Sequence, residues 1–212
     1  RIVAESSHRP DADYRTDAQA TRLHELVARL KLSHIHIGGN SMGGHIAMAY
    51  AAKYPKEVGS LWLLDAGGVW SAPPAEVFLT YQRTGVHPLW VHDVADYKRV
   101  FSIVMTQPPF VPSPILAVMA QPSIANEALE RKILPVLTQD GIESRAKGLT
   151  MPTLIVWGDQ DRVLNPKAAE ILKGLIPYSR VIMMKGIGHL PMLEDVNQTA
   201  EDYLEFRRSL NR

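Results

Sequence analysis

The stretch Gly38-Gly39-Asn40-Ser41-Met42-Gly43-Gly44 constrains this chain more than any other. It lies between a short alternating apolar run, His34 to Ile37, and an alanine-rich run, His45 to Lys53. An alternating run reads as a strand and the alanine-rich run as a helix. Four glycines and one serine at such a junction predict a sharp turn that lifts the serine hydroxyl off the edge of a sheet. Gly39-x-Ser41-x-Gly43 fits a nucleophile elbow, in which the serine backbone is strained. A Cβ at either flanking glycine is expected to collide with a neighbouring element. Ser41 then sits at a helix N-terminus, where free N–H groups stabilise negative charge, and the Met42 N–H is placed to donate to an oxyanion.

The rest of the chain repeats the strand–helix alternation. Thr16-x-x-Gln19 fits a capping box for a first helix whose apolar face is Leu23, Leu26, Val27 and Leu30. His34–Gly38 is a strand and Gly43–Tyr54 a helix stopped by Pro55. Val58–Leu64, Thr153–Trp157 and Arg180–Met184 are further strands, and the Val58 strand is apolar on both faces. Pro166–Leu175 and Asn197–Leu210 are helices. This order predicts an α/β chain with a mostly parallel sheet covered by helices on both faces. Between Val69 and Thr150 the alternation stops. That segment holds nine of the fifteen prolines and no clear strand. It reads as a helical insertion, giving a core of 1–69 and 151–212 and a cap of 70–150.

A serine needs a base, and the base needs an orienting acid. On this architecture the acid and the histidine follow the serine in chain order. The Thr153 strand runs into Gly158-Asp159-Gln160-Asp161, and the Arg180 strand into Gly186-Ile187-Gly188-His189. Both loops leave carboxyl ends of strands, the edge that carries sites in open α/β sheets. Ser41, Asp161 and His189 are therefore the expected triad, with Asp65, at the end of the Val58 strand, as a rival for the acid. His34 and His36 share a strand face, as a metal pair would, but no third ligand is near and a structural role is favoured. No partner is evident for His45, His87 or His92.

Bulk properties exclude several classes. The 23 basic and 22 acidic residues are well mixed, for a formal net charge of +1, and no basic run reads as a nucleic-acid footprint. The absence of cysteine excludes disulfides and thiolate chemistry. The uncharged stretch Val100–Asn126 is broken by Pro108, Pro109, Pro112, Pro114 and Pro122, which argues against a membrane-spanning helix. The first residue is Arg1, so the natural start, and any targeting or membrane-anchoring segment, is expected to lie outside this sequence. The compartment is left open.

The segments GGNSMGGHIAMAYAAKYPKEVGSLWLLD, WGDQDRV and GIGHLPMLED together resemble an α/β-hydrolase. Within that superfamily the chain is similar to bacterial triacylglycerol lipases of the cold-active kind and to the related monoacylglycerol lipases. The resemblance runs from about residue 14 to 207 and includes WSAPP and PPFVPSPILAVMA in the insertion. It implies Ser41 as nucleophile, Asp161 as acid and His189 as base. It also implies an acyl pocket lined by Trp70, Val163 and Leu190, and a helical cap over the site. No metal or organic cofactor is implied, and the partners are ester or lipid substrates and lipid surfaces; the oligomeric state is open. Such proteins begin with several more strands and a His-Gly loop that supplies a second oxyanion N–H, and that donor is not in this sequence. Ala4-Glu5 is expected to be a false junction. The expected activity is a serine ester hydrolase. The alternatives are a carbon–carbon bond hydrolase of ring-cleavage products, or an inactive hydrolase-fold fragment or binding protein.

Overall fold

A computed structural model describes residues 11–210. The Ala4-Glu5 junction lies outside them. Four parallel strands, β1 (Ile35–Asn40), β2 (Val58–Leu64), β3 (Thr153–Gly158) and β4 (Ser179–Met184), stand side by side in chain order. The four expected strands are these four, and β2 has the expected limits.

Period-two alternation divides the sheet's side chains between two layers. Leu61, Leu63, Ile155 and Trp157 face one side, against α1 (Thr16–Arg29), α2 (Met42–Lys53) and α7 (Lys167–Leu175). Trp62, Leu64, Leu154 and Val156 face the other, against α8 (Val196–Ser209), where Trp62 stacks on Tyr203 with ring centroids 4.3 Å apart. All six residues of β3 are buried, as a strand covered on both faces requires.

The connection from β2 to β3 holds α3 (Glu76–Thr84), α4 (Val94–Val104), α5 (Ser113–Thr138) and the single turn α6 (Glu143–Ala146). It contains no strand among the described residues. Helix α5 runs on for 26 residues although Pro122 and Pro135 lie inside it. A proline removes one backbone donor and bends a helix without always ending it. No helix among the described residues is long and apolar enough to cross a membrane.

Two local expectations about α1 are corrected. Thr16 caps nothing: the helix begins after Arg15, and the fully buried Thr16 hydroxyl donates to Asp140 instead. The buried stripe of α1 is Thr16, Ala20 and Val27, with Leu23 packed beside it. Leu26 and Leu30 are exposed. His36 bonds Ser60 at 2.7 Å and Arg207 at 2.7 Å, which accounts for it without a metal.

Candidate active site

Ser41 joins β1 to α2 with φ 55° and ψ −119°, a conformation that L-residues rarely adopt. Its surroundings hold it there. The Ser41 N–H donates to the carbonyls of Leu64 (3.0 Å) and Asp65 (3.1 Å), and its own carbonyl accepts from Gly67 N–H (2.8 Å) and His45 N–H (3.2 Å). The hydroxyl makes no capping bond to α2, so the helix does not consume it.

Of the two glycines flanking Ser41, only one is tight. A Cβ on Gly39 would lie 2.3 Å from the Gly43 carbonyl carbon, while a Cβ on Gly43 would meet nothing within 4 Å and Gly43 lines an open cavity. The second close approach is instead at Gly44, where a Cβ would lie 2.6 Å from that of Ala66. The elbow packs its helix against the β2 exit through Gly44 and leaves Gly43 facing the space above the serine.

Asp161 and His189 come together as expected. His189 Nδ1 lies 2.8 Å from Asp161 Oδ2, and both side chains are buried. Asp161 Oδ1 accepts from the N–H groups of Val163 (2.7 Å) and Leu164 (3.0 Å), so the loop's own backbone stabilises an anionic carboxylate. Asp161, rather than Asp65, is the partner of the imidazole. Asn40 Nδ2 donates to the His189 carbonyl (3.0 Å) and to that of Leu64 (3.2 Å), tying the residue before Ser41 to the histidine loop. Asp65, Asp161 and His189 are the one group of three potential metal donors among the described residues. Asp161 is already satisfied by His189 and two backbone donors, so the arrangement is that of an acid–base pair.

Three attachments hold these loops, and the sequence alone did not single them out. Glu194 accepts from Gly188 N–H (2.8 Å) with one oxygen and from Thr106 N–H (2.6 Å) and hydroxyl (2.7 Å) with the other. His189 N–H donates to the Val104 carbonyl at 2.9 Å. Arg162, next to Asp161, forms a two-pronged pair with Glu76 at 2.7 and 2.6 Å and reaches the Ser102 carbonyl at 2.9 Å. Each ties a site loop to the β2–β3 connection. The motif GHLPMLED contains Glu194, but nothing in its spacing reveals a partner 88 residues away in sequence.

Ser41, Met42 and His189 open on one cavity of about 1360 Å³, which is also lined by Trp70, Val163 and Leu190. Its wall is mostly apolar, with Val77, Phe101, Val111, Met119 and Leu137 supplied by the β2–β3 connection. Two polar residues in the wall are neutral histidines: burial pushes the pKa of His45 and of His87 down to about 4.

A sheet of parallel strands whose carboxyl edge carries a strained serine, a buried aspartate and a histidine is an α/β-hydrolase arrangement. The chain belongs to the alpha/beta hydrolase fold family, which it matches over residues 1–98 and 119–196. It is 48% identical to Lipase 3 of Moraxella sp. (strain TA144) over 98% of this chain and 67% of that protein. It is 46% identical to Lipase 1 of Psychrobacter immobilis over 97% of this chain and 66% of that protein. A crystal structure of a membrane phospholipase A, described as a bacterial virulence factor, superimposes with a TM-score of 0.94 at 34% identity, covering 100% of this chain and 68% of that one. The chain thus spans about two thirds of the length of the curated relatives named here.

Proposed function

We propose that this chain carries the catalytic residues of a serine ester hydrolase whose substrates are acylglycerols or other carboxylic esters with an apolar acyl group. The observation that carries the reading is the His189–Asp161 hydrogen bond of 2.8 Å on the same cavity as the strained, uncapped Ser41. His189 removes the Ser41 proton as the oxygen attacks the ester carbonyl, and Asp161 orients the imidazole and stabilises its charged form. The Met42 N–H, first in α2, donates to the tetrahedral oxyanion. His189 then protonates the leaving alcohol. Water, deprotonated by the same imidazole, attacks the acyl-serine carbonyl, and the collapsing intermediate returns the proton to Ser41 and releases the acid.

The β2–β3 connection, residues 70–150, acts as a cap that shapes the acyl pocket, with Trp70, Val163 and Leu190 in its wall. The cavity's volume exceeds the roughly 300–1,000 Å³ of common small-molecule sites, which favours medium or long acyl chains over acetate. The names of the relatives, two lipases and a phospholipase A, agree with that class.

The test is hydrolysis of p-nitrophenyl esters from acetate to palmitate by the wild-type chain and by Ser41→Ala. Activity that peaks beyond butyrate and is lost in the variant supports the proposal. A folded wild-type chain that turns over none of these esters, or a Ser41→Ala chain that turns them over equally well, refutes it for this chain. Turnover of a vinylogous diketone in place of the esters would identify the carbon–carbon bond hydrolase instead.

A further inference from the structure

We propose that Asp65 is a positioning residue of this site, a neutral carboxylic acid that donates its proton to Asp161 and so holds that carboxylate square to His189. The inference rests on the triad reading above.

Asp65 directly follows β2, the strand between the one that delivers the serine and the one that delivers the acid. It is completely buried, and its backbone has φ 41°. Its carbonyl accepts from Ser41 N–H at 3.1 Å, and its N–H donates to the Val156 carbonyl at 3.0 Å. One side-chain oxygen, Oδ1, accepts from Gly158 N–H at 3.0 Å, while Oδ2 meets no protein donor. Yet one oxygen of Asp65, one of Asp161 and a ring nitrogen of His189 all lie within 4.8 Å of one another.

An ionised Asp65 would put a second buried negative charge beside Asp161 and leave an anionic oxygen without a donor. Both are costly. Asp161 has three donors around it and is the member of the pair built to carry the charge. The remaining proton therefore belongs on Asp65. Once protonated, the carboxyl gains an O–H to donate, with an Asp161 oxygen within 4.8 Å of one of its oxygens. Burial pushes the Asp65 carboxyl well above the ordinary carboxylate range, and the charge on Asp161 adds to it. The Gly158 N–H opposes the shift, and the Glu194 charge reinforces it. A carboxylic acid kept neutral so that it can donate is an established device in catalytic sites.

A purely structural alternative assigns Asp65 only the task of pairing Gly158 N–H, and three measurements separate the two. Infrared spectroscopy of the wild-type chain at neutral pH should show the carbonyl stretch of a buried protonated carboxyl, absent in Asp65→Asn. Asp65→Gly, which keeps the left-handed backbone unstrained, should lower kcat on the best p-nitrophenyl ester about tenfold or more with KM little changed. Asp65→Asn, whose amide can still accept from Gly158 and donate to Asp161, should recover most of that loss.

The third measurement is a double-mutant cycle with Asp161→Asn. Removing the Asp161 charge lets Asp65 ionise and serve as the counter-charge of His189. Adding Asp65→Asn to Asp161→Asn should then cost at least about tenfold more than it costs in the wild-type background.

Absence of the infrared band, or equal cost of Asp65→Asn in both backgrounds, overturns the proposal. So does a folded Asp65→Gly chain with wild-type kcat. Should Ser41→Ala prove as active as the wild type, the triad reading fails and the positioning role falls with it. The infrared band reads the Asp65 proton without turnover, so the two failures are distinguishable.

Discussion

Gly158 ends β3 at the point where the acid loop and the histidine loop touch. A Cβ built on it lies 2.0 Å from the Gly188 carbonyl oxygen and 2.4 Å from that of Ile187. Real Cβ atoms essentially never come within 3.0 Å of such an atom, so Gly158→Ala must push the Ile187–Gly188 peptides back by about 1 Å. Those peptides lead directly into His189, whose Nδ1 is 2.8 Å from Asp161. A retreat of that size stretches the bond past useful length. Misplacing a catalytic group by 1 Å can cost about 100-fold in rate. Overpacking costs about 1–3 kcal/mol of stability. The expected result is therefore a folded protein with a lowered melting temperature and kcat on the preferred p-nitrophenyl ester down about 100-fold. The assay pairs steady-state kinetics with thermal unfolding followed by circular dichroism. A Gly158→Ala chain that keeps kcat within about threefold would show that the histidine loop has slack, and the argument from close contact would be wrong.

Other outcomes follow from the same geometry. Gly39→Ala should destabilise the chain by about 3 kcal/mol or more, because its Cβ meets backbone. Gly43→Ala should fold at least as well as wild type, because its Cβ meets open space and alanine favours a helix by about 1 kcal/mol; thermal melts of both variants check the contrast. Glu194→Gln removes the charge from two charge-assisted backbone bonds and should cost about 1–3 kcal/mol together with a fall in kcat, read by urea unfolding and esterase assay. His45 and His87 have folded pKa values of about 4, below the ordinary histidine value of 6.5, so the unfolded chain binds more protons between those limits. Stability should fall as pH drops from 6.5 to 4, by at most about 1.4 kcal/mol per pH unit for each histidine, and His87→Phe should flatten the dependence. Asp65 has the opposite sign: its folded pKa is raised, so its contribution is lost as pH rises above the unfolded value of 3.8, and Asp65→Asn should raise the melting temperature at pH 7 with a gain that shrinks towards pH 4.

Elements whose evidence is local could be read from the sequence. The apolar runs bounded by glycine and proline became β1 to β4, and the serine, aspartate and histidine were placed by the strand ends that carry them. What escaped depends on distant partners. The Thr16 hydroxyl could cap its helix, but Asp140, 124 residues on, takes the bond instead. The glycine pattern suggested that Gly43 was sterically required, whereas the tight contact falls on Gly44 because Ala66 comes back against it from the end of β2. Helix α5 absorbs Pro122, which by itself reads as a stop. Asp65 and Asp161 both lie at strand ends on the same edge; position in the chain favours Asp161, and the fold shows it bonded to the imidazole.

The strands stand in the sheet in the order in which they leave the ribosome, and the long excursion between β2 and β3 carries most of the apolar wall. For an engineer this looks like a replaceable cassette: exchange the excursion, keep the register, change the range of acyl groups accepted. The tethers set the terms of that exchange. The cassette holds His189 through the Val104 carbonyl, the His189 loop through Thr106 and Glu194, and the neighbour of Asp161 through Glu76 and Arg162. A graft that redraws the wall but omits those three anchor points would change selectivity and turnover together. One that transplants them intact should change selectivity alone.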